Sequence, residues 1–140
     1  MNEPFVPAIA HVIQLAVAPV FLLSGVGVTL TVLTNRLSRI IDRSRVLESR
    51  PEHDERALEE LRHLRSRARL VNRAVTLCTL CALLVSLVIV ALFVSPMIRV
   101  DLSGLIAILF IGAMAAYVTA LGTFLREIFV ATASLRIGRT

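Results

Sequence analysis

No lysine occurs in this 140-residue chain, so its fifteen basic residues are all arginine and the net charge of +5 rests on guanidinium groups. Charge of either sign is also missing from three apolar runs, Pro4 to Asn35, Ala74 to Ile98 and Leu102 to Leu125. That absence excludes an ordinary soluble domain. Each run meets or exceeds the roughly 20 residues that an α-helix, rising 1.5 Å per residue, needs to cross a hydrocarbon core of about 30 Å. In lipid the backbone must satisfy its own hydrogen bonds, which for runs of this length means helices. The 56% hydrophobic content and mean hydropathy of +0.81 agree with this, and the length suits a single domain.

Catalytic groupings are absent too. The spans carry no carboxylate, and the chain has no Ser/His/Asp cluster, HExxH, phosphate-cradling glycine loop or haem-attachment motif, so no enzyme, cofactor or metal is expected. A missing nucleotide site excludes a primary active transporter, and small size without inverted repeats argues against a secondary one. No internal repeat, low-complexity tract or separate soluble domain is discernible.

What the chain does contain is arginine in one place. Between Thr34 and Arg73 there are eleven arginines against seven acidic residues. The other inter-span loop offers only Arg99, and nothing basic precedes the first span. By the bias of basic residues toward cytoplasmic loops, the amino terminus faces out, the arginine segment faces in, the Ser95 to Ser103 loop faces out, and the tail with Arg126, Arg136 and Arg139 faces in. A cleaved signal peptide is not expected despite Ala16-Val17-Ala18, because no basic region precedes the run, Pro19 would follow the cut, and the run is too long.

The apolar rhythm continues beyond the first span through Leu33, Leu37, Ile40, Ile41, Ser44 and Leu47, so the helix is expected to run on into the cytoplasm. After Ser49-Arg50-Pro51, Asp54 or Glu52 would cap a second helix, whose Leu58, Leu61, Leu64, Ala68, Val71 and Val75 repeat the seam into span two. The predicted fold is all-α. It is a three-transmembrane-helix bundle, spans about 9–34, 74–96 and 103–125, with helices 1 and 2 extended into a cytoplasmic antiparallel hairpin over about 35–73. Its legs would be roughly 25 Å long and the whole first helix near 60 Å. Local pairs Arg45/Glu48, Glu52/Arg56 and Glu59/His63 would solubilise it at tenths of a kcal/mol each. An apolar stripe of Phe124, Ile128, Ala131 and Leu135 carries helix 3 past Arg126-Glu127, either against the hairpin base or flat in the lipid interface.

Several groups are candidate sites, each with a plainer reading. Small residues recur every four positions: Gly27, Thr31 and Asn35; Cys78, Ala82 and Ser86; Gly112, Ala116 and Ala120. They permit close helix approach within one protomer or between copies, and any pore would require several copies. Pro19 frees the Leu15 carbonyl and predicts a kink, which is usually a bend rather than a hinge. Cys78 and Cys81 share a helix face, but inside lipid in a reducing compartment they read better as small apolar filler than as a redox or metal pair. His11 and Gln14 face the outer mouth of span one, as ligand or proton sites or simply in contact with water and headgroups. Thr34 and Asn35 belong to an inner band of polar residues (Thr29, Thr31, Thr76, Thr79, Thr119, Thr123) that either lines a vestibule or bonds to carbonyls one turn back.

Arg36, Arg73 and Arg126 fall where helices leave the bilayer and, with Arg39 and Arg43, are candidate contacts for anionic lipid headgroups or a cytoplasmic protein partner. Topology and snorkelling explain the three exit arginines as well. Nucleic acid is not an expected partner, because the arginines are interleaved with acids and lack accompanying aromatics.

The segments from Ile13 to Arg45 and from Arg67 to Phe93 resemble a bacterial membrane family catalogued as domain of unknown function family 2721. The likeness is most specific in APVFLL (Ala18 to Leu23) and LTNRLSRIIDR (Leu33 to Arg43), where Asn35, Arg36, Arg39, Asp42 and Arg43 are the family-type polar positions. It covers nearly the whole chain. The resemblance implies a bacterial inner-membrane location and no particular activity. The functional expectation is a non-enzymatic homo-oligomeric membrane protein, channel-like or a scaffold, with a redox or metal-handling protein built on Cys78 and Cys81 as the alternative.

Overall fold

The computed structural model describes residues 5–50 and 54–137, with side chains described as far as 133. Among them are three helices and no strand: α1 (Phe5–Glu48), α2 (Glu55–Ile98) and α3 (Ser103–Ile137). The first two have 44 residues each and the third 35, and all three are long and apolar enough to cross a membrane. Windows of mean hydropathy 2.1, 3.0 and 2.2 mark the apolar stretch of each. The expected all-α, three-helix class therefore holds.

Local chemistry defines the ends. The Ser49 N–H donates to the Arg45 carbonyl (3.1 Å) and the Arg50 N–H to that of Leu47 (3.4 Å), closing α1. At the start of α2 the Asp54 carbonyl accepts from the Leu58 N–H at 3.1 Å, so Asp54 holds the capping position. Glu52, the other expected cap, lies outside the described residues, as does Pro51. α2 ends at Ile98, and Arg99 just beyond it is in the left-handed region (φ 54°), the conformation that commonly terminates helices and is usually given to glycine. The Ser95 hydroxyl donates to the Val100 carbonyl at 2.8 Å in the same turn. Asp101 then accepts the Ser103 N–H at 3.0 Å as α3 begins. The Ser103 side chain and then its amide, bonding to the Asp101 carboxylate, hold that carboxyl below the ordinary range.

The helices contribute to two compact units. One comprises the chain up to Thr29 with Cys78–Tyr117, and the other comprises Leu30–Leu77 with the chain from Val118 onward. The first unit buries small side chains: Ala16, Val26, Cys78, Cys81, Val85, Ala113 and Ala116. Its exterior is large and apolar, with Phe21 and Met97 each 74% exposed and Leu83, Ile108 and Ile111 also outward. Within it the Thr29 and Tyr117 hydroxyls lie 3.0 Å apart in a hydrogen bond. Small side chains let helix backbones approach where lipid supplies no hydrophobic drive.

The second unit buries Leu33, Ile40 and Leu47 of α1 and Leu61, Leu64 and Val71 of α2. These six belong to the seam expected from the sequence, whereas Ile41 and Leu58, also expected in it, are exposed at 37% and 46%. Around the seam the exterior of α1 and α2 is richest in arginine, with acidic and hydroxyl side chains, and Val32, Ile41, Val46 and Leu58 are also exposed. The ion pairs differ from the expected pattern. Glu48, expected to pair with Arg45 on its own helix, lies 3.9 Å from Arg65 Nη2 on α2, while Arg43 Nε donates to Glu60 Oε1 at 3.0 Å. The long arginine side chains reach across to the adjoining helix. All four side chains are 43–66% exposed, so these pairs contribute at most about 1 kcal/mol each.

Candidate functional site

The second unit contains the one charged side chain that is fully buried among the described residues, Glu127 of α3 at 0% exposure. It sits two turns beyond Ala120, on the face of α3 that Ala113, Ala116 and Ala120 occupy. Two arginines meet it. Arg67 Nε of α2 donates to Oε1 at 3.0 Å. Arg36 Nε of α1 lies 2.7 Å from Oε2. The second contact is held by charge rather than by an aligned hydrogen bond, since neither Arg36 Nε nor Glu127 Oε2 has a hydrogen-bond partner. The Arg36 guanidinium also stands 5.5 Å from the centroid of the Phe124 ring, within cation–π range. One carboxylate thus ties all three helices of this unit together.

Beside this cluster an open groove of about 530 Å³ runs between α1 and α2. Arg36, Arg39, Arg43, Arg67 and Asn35 supply its polar lining, with Val32, Ile40 and Leu64 as its apolar part. Arg36 and Arg67 each direct Nε to Glu127, and Arg43 directs Nε to Glu60. Arg39 makes no ion pair among the described residues.

The arginines proposed from sequence are therefore divided. Arg36, Arg39 and Arg43 share the groove, joined by Arg67, which sequence reasoning did not single out. Arg73 and Arg126 are exposed outside it. Of the remaining candidates in this unit, Asn35 lines the groove, and Thr34 donates to the carbonyls of Leu30 (2.8 Å) and Thr31 (3.1 Å) on its own helix. Thr31 and Asp42 are exposed, and Ala120 is buried.

In the first unit, His11 and Gln14 are exposed and Pro19 is buried within α1. Gly27 is exposed, and a Cβ added there would meet nothing within 4 Å. Gly112 is half-buried, where a Cβ would stand 3.7 Å from Leu84 Cδ1. Ala116 is buried, Ala82 half-buried and Ser86 exposed, its hydroxyl bonded to the Ala82 carbonyl at 2.8 Å. Cys78 and Cys81 are free thiols, both fully buried in the core of this unit. No group of three or more metal-ligating side chains occurs among the described residues.

Glu127 was the residue the sequence reading passed over. Its signal was periodic: the helix face that carries Ala113, Ala116 and Ala120 reaches Glu127 seven residues after Ala120, opposite a segment rich in arginine.

Fold and site together define an all-α chain with three potentially membrane-spanning helices and a carboxylate-centred arginine cluster. Residues 16–137 match the model of a protein of unknown function, DUF2721, and the chain belongs to that family. Comparisons with curated proteins and with solved structures returned no match.

Proposed function

We propose that the chain is a multi-pass protein of a bacterial inner membrane, with its amino terminus outside, its carboxyl terminus inside, and the α1–α2 extension standing in the cytoplasm as an antiparallel hairpin. It acts without catalysis, as a self-associating scaffold or channel-like assembly that presents the arginine-rich hairpin to a cytoplasmic partner. One observation carries the reading. Core and exterior change character along α1 and α2, from an alanine, valine and cysteine core under a large apolar exterior in the first unit to a leucine seam under an arginine-rich exterior in the second. The first pattern suits lipid, where small residues permit close packing. The second suits water, where burial of leucine drives association.

Self-association draws support from the outward face of α1, where Ser24 and Gly27 leave a low surface among large apolar neighbours. Two measurements test the proposal. A reporter joined near His53 should appear on the cytoplasmic side, and periplasmic activity there would overturn the orientation. Purified protein should form a defined oligomer in mild detergents, and a strict monomer in all of them would overturn self-association.

A further inference from the structure

The groove between α1 and α2 holds more donors than its own carboxylates engage. Four guanidinium groups line it, and two carboxylates, Glu127 and Glu60, are in contact with three of them. Two positive charges are left uncompensated. The Nε atoms of Arg67 and Arg43 donate hydrogen bonds, and that of Arg36 is held 2.7 Å from Glu127 Oε2 by charge. Among the described residues, no acceptor hydrogen-bonds to the Nη groups of these three or to any part of Arg39. A guanidinium anchored by Nε presents its two Nη groups as a planar fork, and such forks match phosphate oxygens bidentately. Glu127 is thus a positioning residue, which from a fully buried site holds the Arg67 guanidinium by a hydrogen bond and that of Arg36 by charge.

The geometry points to a binding site for the phosphate of an anionic phospholipid in this groove. The headgroup phosphate lies among Arg36, Arg39, Arg43 and Arg67, and the glycerol and upper acyl chain lie along Val32, the exposed apolar residue of the lining. Val32, 48% exposed at the groove's apolar end, selects a lipid over a free phosphate, which would leave that side chain uncovered. The volume of about 530 Å³ suits a headgroup, since ligand pockets run from roughly 300 to 1,000 Å³. The inference rests on the membrane reading above, because only a chain embedded there delivers lipid to Val32.

The test uses the full chain, purified in mild detergent and followed by native mass spectrometry during titration with phosphatidylglycerol or phosphatidylcholine. Phosphatidylglycerol should be retained saturably and phosphatidylcholine should not. Arg39→Gln, which removes an exposed charge in the groove, should weaken phosphatidylglycerol binding about five-fold. Arg65→Gln, an equal loss of charge outside the groove, should leave it unchanged. Equal retention of both lipids, or equal losses in the two variants, would overturn the site in favour of diffuse surface charge. Displacement of phosphatidylglycerol by excess inorganic phosphate would overturn the lipid assignment and make soluble phosphate the ligand. An alkaline wash of native membranes keeps the two readings apart. Protein that stays in the pellet but lacks lipid selectivity fails this inference alone, whereas protein released by the wash fails the membrane reading.

Discussion

Arg67 reaches from α2 to Glu127 of α3, sixty positions along the chain, and its Nε donates to a carboxylate that has no exposure to solvent. With Arg36 on the other oxygen, the cluster carries one negative and two positive charges. Removing one partner from such a buried group strands the others, whereas removing all of them together need not be costly.

Glu127→Gln should therefore lower the stability of the purified protein by about 3–5 kcal/mol, read as a fall in the midpoint of denaturation in detergent. Replacing Arg36, Arg67 and Glu127 together by Leu should cost far less than that single change. A triple variant less stable than Glu127→Gln would show that the cluster contributes net attraction.

At the start of α3 the Asp101 carboxylate accepts from Ser103, and its pKa is lowered from the usual 3.8. A carboxyl depressed in the folded state adds stability that is fully present above its unfolded pKa and is lost as pH falls through the folded value. The denaturation midpoint of the parent should thus exceed that of Asp101→Ala at neutral pH, and the gap should close in acid below pH 3.8. A gap that persists unchanged there would assign the difference to something other than the ionised cap.

The small-residue core of the first unit makes opposite forecasts for adjacent positions. A Cβ at Gly112 would stand at ordinary contact distance, 3.7 Å, from Leu84 Cδ1, so Gly112→Ala should be neutral or stabilise by up to about 1 kcal/mol through helix propensity. Ala113 is fully buried, and Ala113→Leu should cost about 1–3 kcal/mol by overpacking. Thermal denaturation of the two variants side by side checks both.

Cys78 and Cys81 are buried among Val85, Ala113 and their neighbours in that core. Maleimide should label neither thiol in the folded protein and both after denaturation, as counted by mass. The double Cys-to-Ala variant should retain its oligomeric state and metal content. Rapid labelling of folded protein would instead favour the redox alternative, since reactive thiols need access.

Hydropathy alone made the three helices legible, because a long uncharged run has few other structures open to it. The helix ends were readable too: Ser49-Arg50-Pro51 and Asp54 bracket the observed break between Glu48 and Glu55. Side-chain pairing across helices was not. Sequence spacing recommends partners three or four residues apart, so Glu48 was matched with Arg45 and Glu127 was treated as an interruption in an apolar stripe. Arg36, Arg67 and Glu127 come from three different helices, and only tertiary structure brings them within 3.0 Å. Leu33 and Leu64, by contrast, announced the seam by their period. The groove was half visible, as the run Arg36, Arg39, Arg43 on one helical face, with Arg67 missing from the reading.

Leu64 and Cys78 occupy the same buried face of α2, fourteen residues apart, yet one is a bulky side chain and the other a small one. Conservative exchange consequently has no single meaning along this helix. Alanine in place of leucine empties the interior near one end, leucine in place of alanine-sized groups wedges it open toward the other, and hydrophobicity scores rate both swaps as mild. Tolerance to mutation in this chain should follow side-chain volume, with its sign reversing partway along a single rod.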